Sequence, residues 1–286
     1  MTAQFTESTR SAIAIARQQT LGDLLRRTAL RVPEKVAIIN GSRTLTFAEF
    51  DAAVNRCANM LAAKGLTKGD RLALVSHNNW QFATLHYATA RLGVILVPVN
   101  FGLGADEIAF ILEHSGATAV VAEDTLVPTV AKAVEIADLT LSARGCIHAG
   151  GLAPDADWED VDTWMLDGDS TPPQVSIADD DPLRLMYTSG TESRPKGVLL
   201  SSKSLINQYV SCVIDGGMAG DDVEIHSLPL FHCAQLDCFL SVDVFLGATS
   251  IILPGPDPAT VLETIETQGV TKPVSYTHLT LPTTPY

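Results

Sequence analysis

No apolar run in the 286-residue chain approaches the ~20 residues that cross a bilayer, so no transmembrane segment is expected. The first twenty residues, MTAQFTESTRSAIAIARQQT, lack the charged start, long apolar stretch and small-residue cleavage site of a secretory signal. Cysteine is sparse: Cys57, Cys146, Cys212, Cys233 and Cys238 are odd in number and form no C-x-x-C pair. That composition points to reduced thiols in a cytoplasmic protein rather than a disulfide framework. Bases are few, 19 Lys and Arg against 33 Asp and Glu, giving a net charge of -14. The stretch from Asp155 to Asp181 holds ten acids and no base, and the rest of the chain is nearly balanced. A phosphodiester backbone is repelled by such a stretch, so nucleic acid is not an expected partner.

With 46% hydrophobic residues and 18% charged, the chain is globular rather than disordered. At this length it forms one large domain or two modest ones, with room for a sizeable core. After Thr20, a candidate helix cap, LGDLLRRTALRV reads as a short amphipathic helix stopped at Pro33. KVAIIN and RTLTF read as a hairpin turning at Gly41-Ser42, and Phe47 to Lys64 has helical spacing. RLALVS, VILVPV and ATAVVAE then alternate as strands with the helical stretches WQFATLHYATARLG and ADEIAFILEHSG. Strands and helices in alternation with short links imply βαβ units, hence an α/β fold with parallel-rich sheets flanked by helices.

The alternation restarts after the acidic stretch. PLRLMYTSG, VEIHSLPLF and TSIILPG read as strands. A helix begins near Ser201 or Ser202, and DCFLSVDVFLG and PATVLETIETQG are two more. The expected organisation is a poorly ordered segment over 1–19, a first α/β subdomain over 20–150, an acidic linker over 151–181 and a second subdomain over 182–272.

The chemistry sits in LMYTSGTESRPKGV, residues 185–198. Behind an apolar strand it gathers the hydroxyls of Thr188, Ser189 and Thr191, the glycines Gly190 and Gly197, and Lys196. A polyphosphate needs that set: glycines let backbone N–H groups approach its oxygens, hydroxyls donate hydrogen bonds, and a lysine supplies a point charge. The order is not that of a Walker A loop, because Lys196 precedes Gly197 and no hydroxyl follows it directly. A P-loop ATPase or kinase is therefore not supported.

YTSGTESRPKGV resembles the phosphate-binding signature of the adenylate-forming (AMP-binding) superfamily, whose members include acyl-CoA synthetases and luciferases. Glu192 and Ser193 stand where Thr and Gly are more usual, and Ser202 stands where many relatives place a His. The resemblance extends through RVPEKVAIING, LTFAEFDAAVNRCANMLAAKGLTKGDRLALVSHNN, GVILVPVNFGLGADEIAFILEHSGATAVVAED and SLPLFHCAQL, from about residue 20 to Lys272. It implies an incomplete N-terminal domain of the adenylate-forming fold. The implied activity is an ATP-dependent acid–thiol ligase that makes an acyl-adenylate and then an acyl-CoA.

By resemblance, Thr188, Ser189, Gly190, Thr191, Glu192, Ser193, Lys196 and Gly197 hold ATP, and Thr188 lies near Mg²⁺. Coenzyme A is the implied co-substrate and a small carboxylic acid the implied partner. His232, read from the residues alone, is either a packed histidine or one member of a cluster with Cys233, Asp237 and Cys238, whose spacing matches no standard zinc pattern. The resemblance instead places it beside the acyl carboxylate, as a catalytic residue with Lys196. Similarity to bacterial fatty acyl-CoA ligases favours a fatty acid. An aryl-acid ligase, a carrier-protein-loading adenylation domain and a non-catalytic nucleotide-binding fragment are the alternatives.

Residues 273–286 are out of character with these relatives. VSYTHLTLPT resembles the conceptual translation of a sequencing-library adapter, so read-through is expected from about residue 273, and little ligase activity is expected of the 286 residues alone.

Overall fold

A computed structural model describes residue 9 and residues 19–150, 157–188 and 194–273. The strands are β1 (Val36–Asn40), β2 (Arg43–Thr46), β3 (Arg71–Val75), β4 (Ile95–Val99), β5 (Ala119–Glu123), β6 (Ala143–Ile147), β7 (Glu159–Asp160), β8 (Pro182–Thr188), β9 (Lys196–Ser201), β10 (Val223–His226), β11 (Thr249–Ile252) and β12 (Lys272–Pro273). They form a seven-stranded sheet, β7-β6-β5-β3-β4-β8-β9, and a five-stranded sheet, β12-β10-β11-β1-β2. Among the described residues, only the β8–β9 and β1–β2 pairs are antiparallel. The fold is α/β, as the alternation implies.

Alternate residues of the seven-stranded sheet face two cores. Leu72, Leu74, Ala119 and Val121 join one that also takes in Ile38 and Ile252 of the other sheet. Ala73, Val75, Val120 and Ala122 join a second, with Ile108, Ile111 and Leu112 of the Ala105–Ser115 helix. Both faces of this sheet are therefore covered, which is why its strands read as apolar runs. The Trp80–Leu92 helix buries all of its residues. Several of its polar side chains find partners: Thr84 and Thr89 donate to the carbonyls of Trp80 and Leu85, and Arg91 pairs with Asp51 and Asn55.

Helix starts follow the side-chain chemistry. Thr20 accepts from the Asp23 N–H, and Thr46 and Glu49 form a reciprocal capping box. Asn79 caps the Trp80–Leu92 helix, which ends at Gly93 in the left-handed region (φ 70°) that glycine adopts without strain. Gly41 (φ 58°) opens the two-residue turn between β1 and β2.

Several elements differ from the sequence reading. GVLLS, which precedes the helix starting near Ser201, belongs to the strand β9, antiparallel to β8. The strand in VEIHSLPLF stops at His226. DCFLSVDVFLG divides into a π-helical stretch, Leu236–Leu240, and an α-helix, Ser241–Leu246. A helix over Val127–Ile136 and strand β6 complete the stretch that the alternation leaves unassigned. The acidic stretch itself carries β7 and the Val161–Leu166 helix, with Trp164 buried. Both sheets cross that stretch in sequence, because β8 pairs with β4 and β11 pairs with β1. Residues 1–8 and 10–18, and the tail from 274, lie outside the described residues.

Candidate functional site

Strands β4 and β8 run parallel and end together at Val99 and Thr188. Ligands of open parallel sheets bind outside the carboxyl ends of the strands, where the loops diverge. A cavity of about 380 Å³ opens there, lined by Asn100, Glu107, Met186, Thr188, Phe231 and His232 among others. Two of the residues singled out in the sequence, Thr188 and His232, thus share one cavity although 44 positions separate them in the numbering.

The third, Lys196, is the register partner of Thr188 across the β8–β9 hairpin, and Gly197 is the partner of Tyr187. Directly opposed residues of an antiparallel pair project on the same face, so the Thr188 hydroxyl and the Lys196 ammonium flank the hairpin tip together. Both are exposed. A β-carbon on Gly197 would come within 2.8 Å of Leu185 Cδ1, so close packing as well as turn chemistry favours a small residue there. Ser189, Gly190, Thr191, Glu192 and Ser193 lie outside the described residues.

The hairpin stems are fastened to the Ala105–Ser115 helix. The Tyr187 hydroxyl lies 2.8 Å from His114 Nδ1, and the Arg194 guanidinium sits 5.6 Å from the centroid of the Phe110 ring. Burial pushes the Tyr187 phenol up, against a hydrogen bond with Ser115, so it stays protonated at neutral pH. His114, which has no chemical constellation in the sequence, is an anchor of this stem.

His232 caps the short Cys233–Gln235 turn, its Nδ1 accepting from the Ala234 N–H at 3.2 Å. In the neutral ring the proton is therefore on Nε2. Its neighbour Phe231 meets Phe101 edge-on at 5.3 Å, and Phe101 lies 3.9 Å from the His77 ring centroid. His77 Nδ1 contacts Glu123 Oε1 at 3.0 Å, and the same carboxylate accepts the His77 backbone N–H.

Asn78 is a positioning residue that the sequence reading passes over. Its Nδ2 donates to the carbonyls of Leu228 at 2.7 Å and Leu253 at 3.1 Å, and its Oδ1 accepts from the Leu230 N–H at 2.7 Å. Asn78 follows β3, while Leu228 and Leu253 follow β10 and β11, so one side chain ties the ends of the two sheets and holds the turn leading to His232. Its only sequence signal is a polar pair, Asn78-Asn79, directly after a buried strand.

A second buried tie lies beneath the site. Arg184 of β8 pairs with Asp237, and Arg184 Nη2 lies 2.9 Å from His86 Nδ1. Tyr209 donates to Asp237 at 3.3 Å. Burial first, and the Arg184 charge second, hold His86 well below its ordinary range, so it remains neutral.

Among the described residues, one group of carboxylates and histidine is tight enough to hold a cation: Glu224, His226 and Asp243, all buried. Its hydrogen bonds fix the histidine in another role. The Leu228 N–H donates to Gln235 Oε1, which leaves Gln235 Nε2 to donate to His226 Nδ1 at 2.6 Å. His226 Nε2 then donates to Asp243 Oδ2 at 2.8 Å. Both ring nitrogens are thereby engaged. Burial, with the charges of Asp243 and Asp222, pushes Glu224 up to about 8. His232, Cys233, Asp237 and Cys238 form no such group, because Asp237 is taken by Arg184 and Tyr209.

The parallel-rich sheets and the cavity at their carboxyl ends define an α/β protein with a binding cleft of the open-sheet kind. The family model for AMP-binding enzyme matches residues 25–278, and the chain belongs to that family. It is 33% identical over 255 residues to a feruloyl-CoA synthase from Amycolatopsis sp, covering 89% of this chain and 48% of that protein. It is 32% identical over 254 residues to the long-chain-fatty-acid–CoA ligase FadD13 from Mycobacterium tuberculosis, covering 88% and 48%. The N-terminal domain of FACL13 from the same organism superimposes with a TM-score of 0.75 at 30% identity, covering 88% of this chain and 61% of that one. The chain spans about half the length of the curated relatives it matches. No helix among the described residues is long and apolar enough to cross a membrane.

Proposed function

We propose that this chain is the ATP- and acid-binding part of an ATP-dependent acid–thiol ligase, and that its β8–β9 hairpin grips the triphosphate of ATP. The observation that carries the reading is the pairing of Thr188 with Lys196 at the mouth of the cavity that also holds His232. Lys196 offsets charge on the β- and γ-phosphates, while Thr188, Ser189, Gly190, Thr191, Glu192, Ser193 and Gly197 supply the surrounding hydroxyls and backbone. Each hydrogen bond to a charged phosphate is worth about 1.5–3 kcal/mol, so a few of them suffice for firm binding. The exposed Thr188 hydroxyl is a hard oxygen donor that suits Mg²⁺. Bound with ATP, Mg²⁺ would neutralise phosphate charge at that position.

In the reaction a carboxylate oxygen attacks the α-phosphorus, forming a P–O bond as the bond to pyrophosphate breaks. The thiol of coenzyme A then attacks the acyl carbon, releasing AMP. The protein's contribution is alignment and charge stabilisation. His232, with its ring proton on Nε2, supplies a hydrogen-bond donor beside the acid, and Phe231, backed edge-on by Phe101, gives that end of the cavity an apolar wall. The reduced thiols favour work in the cytoplasm.

A fatty acid is the preferred substrate class, supported by the similarity to FadD13 and to the FACL13 domain. An aryl acid is the second reading, favoured by the equal identity to a feruloyl-CoA synthase. Pyrophosphate exchange by the longer protein, the chain extended to the length of its relatives, with alkanoic and cinnamic acids separates these readings: stimulation by long alkanoates supports the first, by cinnamates alone the second. Stimulation by neither overturns both.

A further inference from the structure

We propose that Cys212 and Cys238 form a redox-active dithiol, a modification site that closes to a disulfide across the groove they line. The groove, of about 620 Å³, lies on the far side of the Ser202–Gly216 helix and is bordered by Gln208, Cys212, Met218, Cys238, Phe239 and Lys272. Gln208 and Cys212 stand one turn apart on that helix and so share a face. Gln208 Nε2 donates to Cys238 Sγ at 3.0 Å, which brings the π-helical Leu236–Leu240 stretch against the same face. Cys212 and Cys238 line this groove together, near enough for the charge of one to act on the thiol of the other. Both cysteines are partly exposed, whereas Cys57 and Cys146 are buried. The pair is independent of the ligase reading.

The oxidant is a small disulfide such as oxidised glutathione. The Cys212 thiolate attacks one of its sulfurs, and one small thiolate leaves. Cys238, once deprotonated, attacks the Cys212 sulfur and expels the second small thiolate. Two S–H bonds are lost and one S–S bond forms, with both electrons carried away by the two released thiols. Burial, then the neighbouring Cys212, pushes the Cys238 thiol up to about 11. Thiolate is the attacking form, so closure accelerates as the pH rises. The bond would fasten the helix that continues β9 to the segment that follows His232, narrowing the groove.

The test uses the chain with Cys233→Ser, which removes the exposed competing thiol and leaves four. After oxidised glutathione in mildly alkaline buffer, two thiols should disappear and the mass should fall by about 2 Da. No Lys or Arg lies between Lys203 and Lys272, so the map needs cleavage after Glu224, which separates the two cysteines. The two peptides should run joined and part on reduction, and adding Cys212→Ser or Cys238→Ser should abolish the join. Four intact thiols, or a stable glutathione adduct without the join, would overturn the proposal. So would a join that survives either serine variant. The unaltered chain mapped in the same way must give the same linkage.

Discussion

Arg184 and Asp237 form an ion pair with both side chains almost wholly buried. Arg184 belongs to the strand that ends at Thr188, and Asp237 lies five residues beyond His232. The pair therefore locks the hairpin side of the cavity to the histidine side. It is incompletely satisfied, since Arg184 Nε and Asp237 Oδ2 have no partner. Buried pairs of this kind add little net stability but are costly to break singly. Asp237→Ala should destabilise the chain by about 3–5 kcal/mol by urea denaturation. Replacing both residues with apolar ones of similar volume should recover most of that loss.

Asn78 offers a more local test. Asn78→Asp keeps the acceptor for the Leu230 N–H and removes both donors, leaving the Leu228 and Leu253 carbonyls facing a carboxylate. An unpartnered buried polar group costs about 1–3 kcal/mol. The denaturant midpoint should fall accordingly. In the longer protein, pyrophosphate exchange should fall with it, because the turn to His232 loses its clamp. An unchanged midpoint would remove Asn78 from its positioning role.

Glu224 sets a pH dependence. Its folded value of about 8 lies above its ordinary 4.5, so its protonated form is the one that suits the fold. The stability it contributes is complete below about pH 4.5 and is lost as the pH rises through 8. The groups facing it are Asp222, His226, Asp243 and Lys272. Glu224→Gln keeps the neutral shape and removes the titration. The variant should therefore gain stability relative to the unaltered chain as the pH is raised from 5 to 9, read from paired thermal melts. A difference that stays constant across that range would refute the assignment.

The sequence patterns reach different depths in different elements. The hairpin at Gly41-Ser42, the cap at Thr20, the helix start near Ser201 or Ser202, and the buried strands β3, β4 and β5 were legible because local chemistry and tertiary packing agree there. β9 was not, because its exposed residues Lys196 to Leu199 carry no apolar alternation and its pairing with β8 is a tertiary choice. Thr188 and Lys196 could be named as candidates from motif chemistry, and His232 from the family resemblance. Asn78, His114 and Arg184 could not, since their roles depend on partners 40 or more positions away in the chain. The mixing of both halves in each sheet was hidden for the same reason. Periodicity reports which face is buried, not which strand lies alongside.

The central claim is that the hairpin closed by Thr188 and Lys196 holds the triphosphate. The most direct measurement is ATP–pyrophosphate exchange by the longer protein carrying Lys196→Met, with circular dichroism matched to the unaltered enzyme. Losing a preorganised charge stabiliser typically costs about 10²–10³-fold in rate, and a loss of that order is the predicted result. Exchange within about twofold of the unaltered rate, far short of such a loss, would contradict the account.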